Sequence, residues 1–539
     1  MIHLLALIAL VAGVQDTTLA VIPRPAHMTR GTGTFLLTPP TVVVTDRATR
    51  DIGYQLADWL APATGYRLAV SSAAGSATQV VSVRLDPTLT RLGDEGYRLA
   101  VTRTRITIRA FRPAGAFYAV QTLRQLLPPD VFREAPVAGV PWTVPVIDIE
   151  DMPRFQWRGA HLDVSRSFMP KEFVKKYIDL LALHKMNRFH WHLTDDQGWR
   201  LEIKQYPLLT SVGAWRRNSL VGVQRGYADT TQWVYDNVPH GGFYTQDDVR
   251  EVVTYAQARF ITVVPEIEMP GHAQAAIAAY PWLGNTGQQL EVLAHWGVDQ
   301  NILNPSDSAI HFMQDVLTEV LALFPSHWIH TGGDEAPKMQ WQASPVAQAR
   351  VRELGLHSEN ELQSWLTAQM SQWLAARGRA LIGWDEILEG GMEGLAPNAV
   401  VMSWRGIEGG IAAAQAGHDV VMTPTSNTYF DYYQAQNVAA EPLAIGGFLP
   451  LDTVYAYEPI PAALTPEQAA HVLGTQGQIW TEYQRNPKNV EYMVFPRLVA
   501  LAEVAWTPRE QKNFADFSAR LAKHLARLAV LDVNYRRPN

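Results

Sequence analysis

The sequence predicts an α/β fold, a (β/α)8 barrel preceded by a small α+β domain. Two observations predict the barrel. From Trp157 onward, eight short apolar runs alternate with helix-length amphipathic stretches, the rhythm of a parallel sheet covered on both faces. No Gly-rich phosphate loop follows any of these runs, so the mark of the rival doubly wound sheet is missing. Length agrees: 539 residues is too long for one domain when domains run to ~100–200 residues and barrels to ~250. The expected division is a leader at 1–20, an α+β domain at 21–150, the barrel at 151–508 and a helical segment at 509–539.

Residues 1–14, "MIHLLALIALVAGV", are apolar and too short to span a bilayer. They read as the apolar core of a signal peptide cleaved near Gly13 or after Ala20, although His3 is the only basic group ahead of it. An exported protein, periplasmic or secreted, is expected; the alternative is a buried N-terminal strand or helix. No later segment is long and apolar enough for a membrane helix. "VIPRP" from Val21 looks like the start of ordered structure.

In the first domain, "TVVVTD" (41–46), "VVSVRL" (80–85) and "RITIRA" (105–110) read as strands, and 47–61 and 115–127 as helices. Ile52, Leu56 and Leu60 share a helical face. "VIDIEDMPRF" reads as a linker. The barrel strands follow: 159–165, 188–196, 261–271, 327–335, 380–386, 399–406, 418–431 and 472–482. Helices are expected at 171–185, from Thr245, at 307–323, 358–376 and 487–505, with a last one at 511–530. Phe173, Tyr177, Leu180, Leu181 and His184 form one buried face. Thr245 with Asp248 forms a capping box.

The chain has 45 basic and 52 acidic residues and no basic block, which argues against a nucleic-acid partner. It has no Cys, which excludes disulfides, thiol catalysis and Cys-ligated metals. Trp is plentiful at 17, and its flat faces suit stacking on sugar rings.

The strand ends carry the functional signal. They offer Asp163 and Arg166, Asp195 and Asp196, Glu268, Asp334 and Glu335, Trp384 and Asp385, Trp404, Tyr429 and Asp431, and Trp480 and Glu482. A barrel's active site lies at the C-terminal ends of its strands. Acids and aromatics with few cations suit a neutral polyhydroxylated ligand, and "HTGGDEAP" (330–337) sets two acids side by side. Neighbouring carboxylates in a dry site have their pKa values pushed apart, so one keeps a proton and one keeps charge.

"WRGAHLDVSR" (157–166), "HWHLTDDQGWR" (190–200), "PEIEMPGHA" (265–273), "HTGGDE", "YFD" (429–431) and "WTE" (480–482) together resemble glycoside hydrolase family 20, the β-N-acetylhexosaminidases. The resemblance spans about 21–510, including a companion N-terminal domain. It implies a retaining exo-enzyme that hydrolyses β-linked GlcNAc or GalNAc, in which the substrate's 2-acetamido oxygen is the nucleophile. It implies Glu335 as general acid/base and Asp334 as the partner of the acetamido group. Arg158 is implied as the clamp on the sugar 3- and 4-hydroxyls, Asp195 and His272 as the pair behind the acid, and Trp384, Trp404 and Trp480 as pocket walls. Tyr429 is implied as donor to the acetamido oxygen, Asp431 as its neighbour, and Glu482 as acceptor for the 4- and 6-hydroxyls. Glu268 stands where many relatives have Asp and takes a supporting role. Gly332 and Gly333 are expected to leave room for a sugar ring.

The expected partners are N-acetylhexosamine oligosaccharides or glycoconjugates, with no cofactor and no metal. A lacto-N-biosidase-like or transglycosylating relative is the alternative. A metal-dependent hydrolase built on His190 and His192 and a sugar-binding protein with a dead site are more distant ones. The long segments 205–243 and 432–470 are expected to roof the pocket or reach across a homodimer.

Overall fold

Eight parallel strands close into a barrel in the computed structural model, which describes residues 19–224 and 230–538. The expected leader lies almost wholly outside the described residues. In chain order the barrel strands are Trp157–Asp163, Arg188–His192, Thr262–Glu266, Trp328–His330, Ala380–Trp384, Val400–Ser403, Asp419–Met422 and Val472–Gly477. Every expected strand is present, each shorter at its C-terminal end than the apolar run implied. Helices Lys171–Leu183, Gln246–Gln257, Asp307–Leu323 and Glu359–Ala375 lie between them. Thr245 forms its capping box with Asp248.

Strand period 2 sorts the barrel interior into layers. Val264, Ile382, Val400, Met402, Val421 and Trp157 pack as an apolar cluster inside the barrel. One step up the same strands stand Glu266 and Trp384, among a group of buried histidines: His192 and His330 are register partners of Glu266, and His190 and His161 lie one step lower. A polar layer therefore separates the apolar floor from the catalytic end.

The first domain is a seven-stranded mixed sheet in the order 27–36, 143–151, 97–101, 105–110, 80–85, 42–45, 69–71. Helices Arg50–Thr64 and Pro113–Leu126 pack on it and on each other, and Ile52, Leu56 and Leu60 are buried. The segment expected as a linker is its strand Thr143–Asp151, held between 27–36 and 97–101. Its alternating pattern was short and acidic, and only pairing on both sides makes it a strand.

The single helix expected at 487–505 is two, Pro487–Val494 and Arg497–Trp506. Pro496 separates them, because it lacks an N–H and disfavours helix in the residue before it. The last helix, Phe514–Val530, ties the parts together. Arg520 grips Glu503 through two 2.7 Å bonds and the Val21 carbonyl at 3.0 Å, and Arg527 donates to the Ala20 carbonyl at 2.7 Å. No helix of the described residues is long and apolar enough to cross a membrane.

Candidate active site

The fourth strand stops at His330, and the next residues break the extended geometry that would point Asp334 and Glu335 to opposite faces. Gly332, Gly333 and Glu335 take φ of +63°, +101° and +47°. Asp334 and Glu335 consequently line one cavity. From sequence, Gly332 and Gly333 are expected to leave room for a sugar ring, but the space a side chain there would enter is filled by the protein itself. A Cβ at Gly332 would stand 1.7 Å from Glu268 Oε2, and one at Gly333 would stand 2.9 Å from Ile387. They are required by backbone conformation and by the Glu268 side chain packed beneath them. His272 also has a positive φ, +49°, and each such non-glycine residue stores ~1–3 kcal/mol of strain.

The cavity holds about 160 Å³ and is lined by His272, Asp334, Glu335, Trp404, Tyr429, Asp431, Trp480, Glu482 and Arg166, with Thr425, Tyr432 and Ile445 at its edge. Trp404 and Tyr429 stack at 6.1 Å and 21°. Trp480 stands 6.4 Å from Tyr429, with the Arg166 guanidinium 5.0 Å over its ring. The Trp404 indole donates to Glu386 Oε2 at 2.9 Å, which fixes the ring plane. Trp384 is not a cavity wall. It is buried one layer below, its indole donating to Glu266 Oε1 at 2.9 Å and its ring 5.9 Å from Trp480.

Behind the acids runs a relay. His272 Nδ1 lies 3.2 Å from Asp195 Oδ1 and 3.2 Å from Asp196 Oδ2, and its Nε2 lies 3.5 Å from Glu335 Oε2 and 3.6 Å from Asp334 Oδ2. Both ring nitrogens face carboxylates. Burial opposes the charge, but Asp195 and the hydrogen bonds to Asp195, Asp196 and Glu335 hold the imidazole well above its ordinary pKa.

The resting protonation of the two acids is the reverse of the order implied from sequence. Burial, reinforced by the Glu335 and Glu266 charges and opposed by His272, pushes Asp334 up to about 7. Burial also opposes ionisation of Glu335, but its hydrogen bond to His272 and the charges of His272 and Arg166 outweigh it and leave Glu335 below the ordinary glutamate range. The surroundings of the free site thus favour a proton on Asp334 over one on Glu335. Asp334 Oδ1 is nevertheless buried without a hydrogen-bond partner among the described residues, as is Asp431 Oδ1. Glu482 is pushed up to about 7, mainly by burial, against the pull of Arg166.

Arg158 does not reach the cavity. It is the second residue of its strand, fully buried at the barrel's N-terminal end, and its guanidinium is spent on Glu95 at 2.8 and 2.9 Å and on the Lys185 and Phe155 carbonyls. A strand of seven residues carries its start ~20 Å from its end. The cation at the sugar end is Arg166, three residues past the strand, held 2.7 Å from Asp195 Oδ2 and donating to Gln197 at 3.0 Å. The signal was position along the strand: only residues at its C-terminal end can face the site. Asp196 and Glu386 were also missed as partners of His272 and Trp404. Of the two long segments, 432–470 brings Tyr432 and Ile445 to the cavity edge, whereas the described residues of 205–243 supply none of the lining residues.

His190 and His192, the pair on which a metal-dependent reading rests, are committed to protein partners. His190 Nδ1 accepts from Gln476 at 2.9 Å and its Nε2 lies 3.0 Å from Glu266. His192 lies between Glu266 and Asp195. His161, His190 and Glu266 bring one ligand atom each within 4.8 Å of one another, but the Glu266 oxygens are already met by His192, His190 and Trp384.

The chain matches the family model described as glycosyl hydrolase family 20, catalytic domain, over residues 155–509, and that described as domain 2 of the same family over 18–152. It is 44% identical to a beta-hexosaminidase of Porphyromonas gingivalis over 97% of this chain and 65% of that protein, so it spans just under two thirds of that relative's length. It is 35% identical to a beta-N-acetylhexosaminidase of Cellulomonas fimi, covering 94% of this chain and 93% of the other. Among solved structures it resembles the GH20 beta-N-acetylhexosaminidase from Streptomyces coelicolor A3(2), with a TM-score of 0.81, 34% identity and coverage of 96% and 98% of the two chains. It also resembles a mutant Streptomyces plicatus beta-hexosaminidase in complex with product (GlcNAc), with a TM-score of 0.82, 32% identity and coverage of 96% and 97%.

Proposed function

The chain belongs to glycosyl hydrolase family 20, and from that premise we propose that it is a retaining exo-β-N-acetylhexosaminidase acting on terminal β-linked GlcNAc or GalNAc by substrate assistance. The observation that carries the reading is Asp334 Oδ1, a buried acceptor without a donor among the described residues, beside an acid held by a histidine relay. An acetamido N–H is a donor suited to that oxygen.

In this reading Glu335 gives its proton to the glycosidic oxygen as the bond from that oxygen to C1 breaks. The acetamido carbonyl oxygen bonds to C1 from the opposite face. The resulting oxazolinium ring places its N–H, with part of the positive charge, on the Asp334 carboxylate. Tyr429 donates to the acetamido oxygen, and Trp404, Tyr429 and Trp480 exclude water from the ring. Water, deprotonated by Glu335, then attacks C1 and restores the original configuration. General acid catalysis of this kind contributes ~10²–10⁴-fold, and an internal nucleophile adds effective molarity of up to ~10⁵–10⁸ M for ideal geometry.

The resting proton on Asp334 fits the scheme. A bound N–H donor favours the Asp334 anion, and a sugar covering Glu335, 38% exposed in its side chain, favours its neutral form. Substrate binding thereby moves one proton from Asp334 to Glu335 without changing the total.

Nitrophenyl glycosides test the reading. Hydrolysis of the β-N-acetylglucosaminide and β-N-acetylgalactosaminide with no hydrolysis of the β-glucoside supports it; equal turnover of the glucoside contradicts it. Product analysis on chito-oligomers distinguishes single-residue release from disaccharide release or transfer. The apolar segment 1–14 supports the companion proposal that the chain is exported, tested by N-terminal sequencing of the mature protein.

A further inference from the structure

Below His272 a second histidine is held in the same manner, one layer deeper in the barrel. His192 Nδ1 meets Glu266 Oε2 in a short contact, and His192 Nε2 lies 2.9 Å from Asp195 Oδ2. Ionised carboxylates only accept hydrogen bonds, so an imidazole between two of them carries a proton on each nitrogen. The same holds for His272. The result is one continuous chain, Glu266–His192–Asp195–His272–Glu335, alternating in charge and ending on the acid/base. Burial works against a charged His192, but Glu266 and the hydrogen bond to Asp195 hold its pKa up to about 10.

The fold fixes the far end of this chain. Glu266 and His192 are direct register partners on adjacent parallel strands, and Glu266 is likewise the partner of His330. The carboxylate is further met by His190 Nε2 at 3.0 Å and the Trp384 indole at 2.9 Å, and lies 2.7 Å from His330 Nδ1. Neither Glu266 nor His192 lines the cavity, and both are fully buried. A barrel interior needs only bulk at such positions, ordinarily Val, Ile or Leu. Removing one member of a buried ion pair is costly, and an apolar pair of the same volume is often as stable, so packing alone does not account for a charged chain that terminates on Glu335.

We propose that Glu266 and His192 are positioning residues for the reaction: they hold Asp195 anionic and fixed, so that His272 keeps its Nε2–H directed at Glu335. No proton travels along the chain; each charge orients the next. The proposal rests on the reading of Glu335 as the general acid.

The test measures Glu266→Gln and His192→Gln, each on two N-acetylglucosaminides, chitobiose and the dinitrophenyl glycoside. The dinitrophenolate departs without a proton, so a fault in the acid leaves the bond-breaking step on this substrate largely untouched. We expect kcat/KM, which reads the reaction only through departure of the leaving group, to fall on chitobiose about tenfold or more, within the ~10²–10⁴-fold that general acid catalysis supplies, and to stay within about threefold of wild type on the dinitrophenyl glycoside, whatever happens to the later step in which Glu335 serves as base. The ratio is taken within one preparation, so a partly unfolded variant does not disturb it. Equal losses on both substrates, or no loss on either, overturn the proposal. In a Glu335→Gln background, adding Glu266→Gln should cost nothing further on the dinitrophenyl glycoside, because residues acting as one unit are non-additive; a further loss there contradicts it. A wild-type enzyme that cleaves neither substrate instead defeats the functional reading itself.

Discussion

His272 Nε2 stands 3.5 Å from Glu335 Oε2, and both residues hold the left-handed backbone conformation, with φ of +49° and +47°. Two strained residues from different strand-end loops thus meet side chain to side chain. Such strain persists only where the surrounding structure over-determines it, and here the surroundings are the Asp195 and Asp196 carboxylates on one side and the Gly332–Gly333 turn on the other.

The pH dependence follows from the resting proton. The productive site needs one proton on the Asp334–Glu335 pair. The free enzyme loses it as pH rises through about 7, where Asp334 titrates, and gains a second as pH falls through the lowered range of Glu335. The profile of kcat/KM should be a bell with its basic limb near 7, both limbs belonging to the pair. Glu335→Gln should invert that limb on a dinitrophenyl substrate, since activity then needs only ionised Asp334 and rises with pH. A profile flat from pH 5 to 9 would contradict the assignment.

Arg158 and Arg166 separate stability from catalysis. Arg158→Ala strips the half-buried Glu95 of its cation and leaves it only the Asn187 amide and the Tyr118 hydroxyl; a fully buried pair loses about 3–5 kcal/mol in this way and this one should lose less, so the denaturant midpoint should drop while kcat per folded molecule holds. Arg166→Ala removes a charged group from the cavity wall and should lower kcat/KM by about ten- to a hundredfold, as expected for a lost charged hydrogen bond. The reverse pattern would return the sugar clamp to Arg158.

The barrel was legible in the sequence because each strand is a separate apolar run and period 2 is short-range. The strand at Thr143–Asp151 was not, since its two-sided pairing with 27–36 and 97–101 is long-range information. The acids, the aromatics and His272 were legible as strand-end chemistry. Arg158 was misassigned because a motif supplies residue types without heights along a strand. The Gly332–Glu268 contact and the His192–Glu266 link stayed hidden because each joins two strands about sixty or more residues apart.

Gly332→Ala brings a methyl group onto Glu268 Oε2, where a Cβ would stand 1.7 Å away, and overpacking of this kind costs about 1–3 kcal/mol. Adding Glu268→Ala should recover part of the thermal stability. If the double variant is no more stable than the single one, the contact is not the reason for glycine at 332.

His184 and His524 are buried with their Nε2 atoms 2.9 Å apart between the barrel and the last helix. Burial lowers both, His184 to about 4; the Arg527 charge works in the same direction on each, and His184 also opposes the charging of His524. The folded state binds fewer protons than the unfolded one, so stability is present above the unfolded histidine pKa of ~6.5 and is lost as pH falls from there through about 4. Urea midpoints should fall across that window, and His524→Gln should flatten the fall; an unchanged slope would remove the pair from the account.

The central claim is that the nucleophile is the substrate's acetamido oxygen and that Asp334 only steadies it. A series of nitrophenyl glucosaminides with zero to three fluorines on the N-acetyl methyl tests it most directly. Fluorine withdraws electrons from the carbonyl oxygen without altering the leaving group, so kcat/KM should fall steeply at each step. A rate independent of fluorination, together with a glycosyl ester trapped on Asp334, would contradict the account.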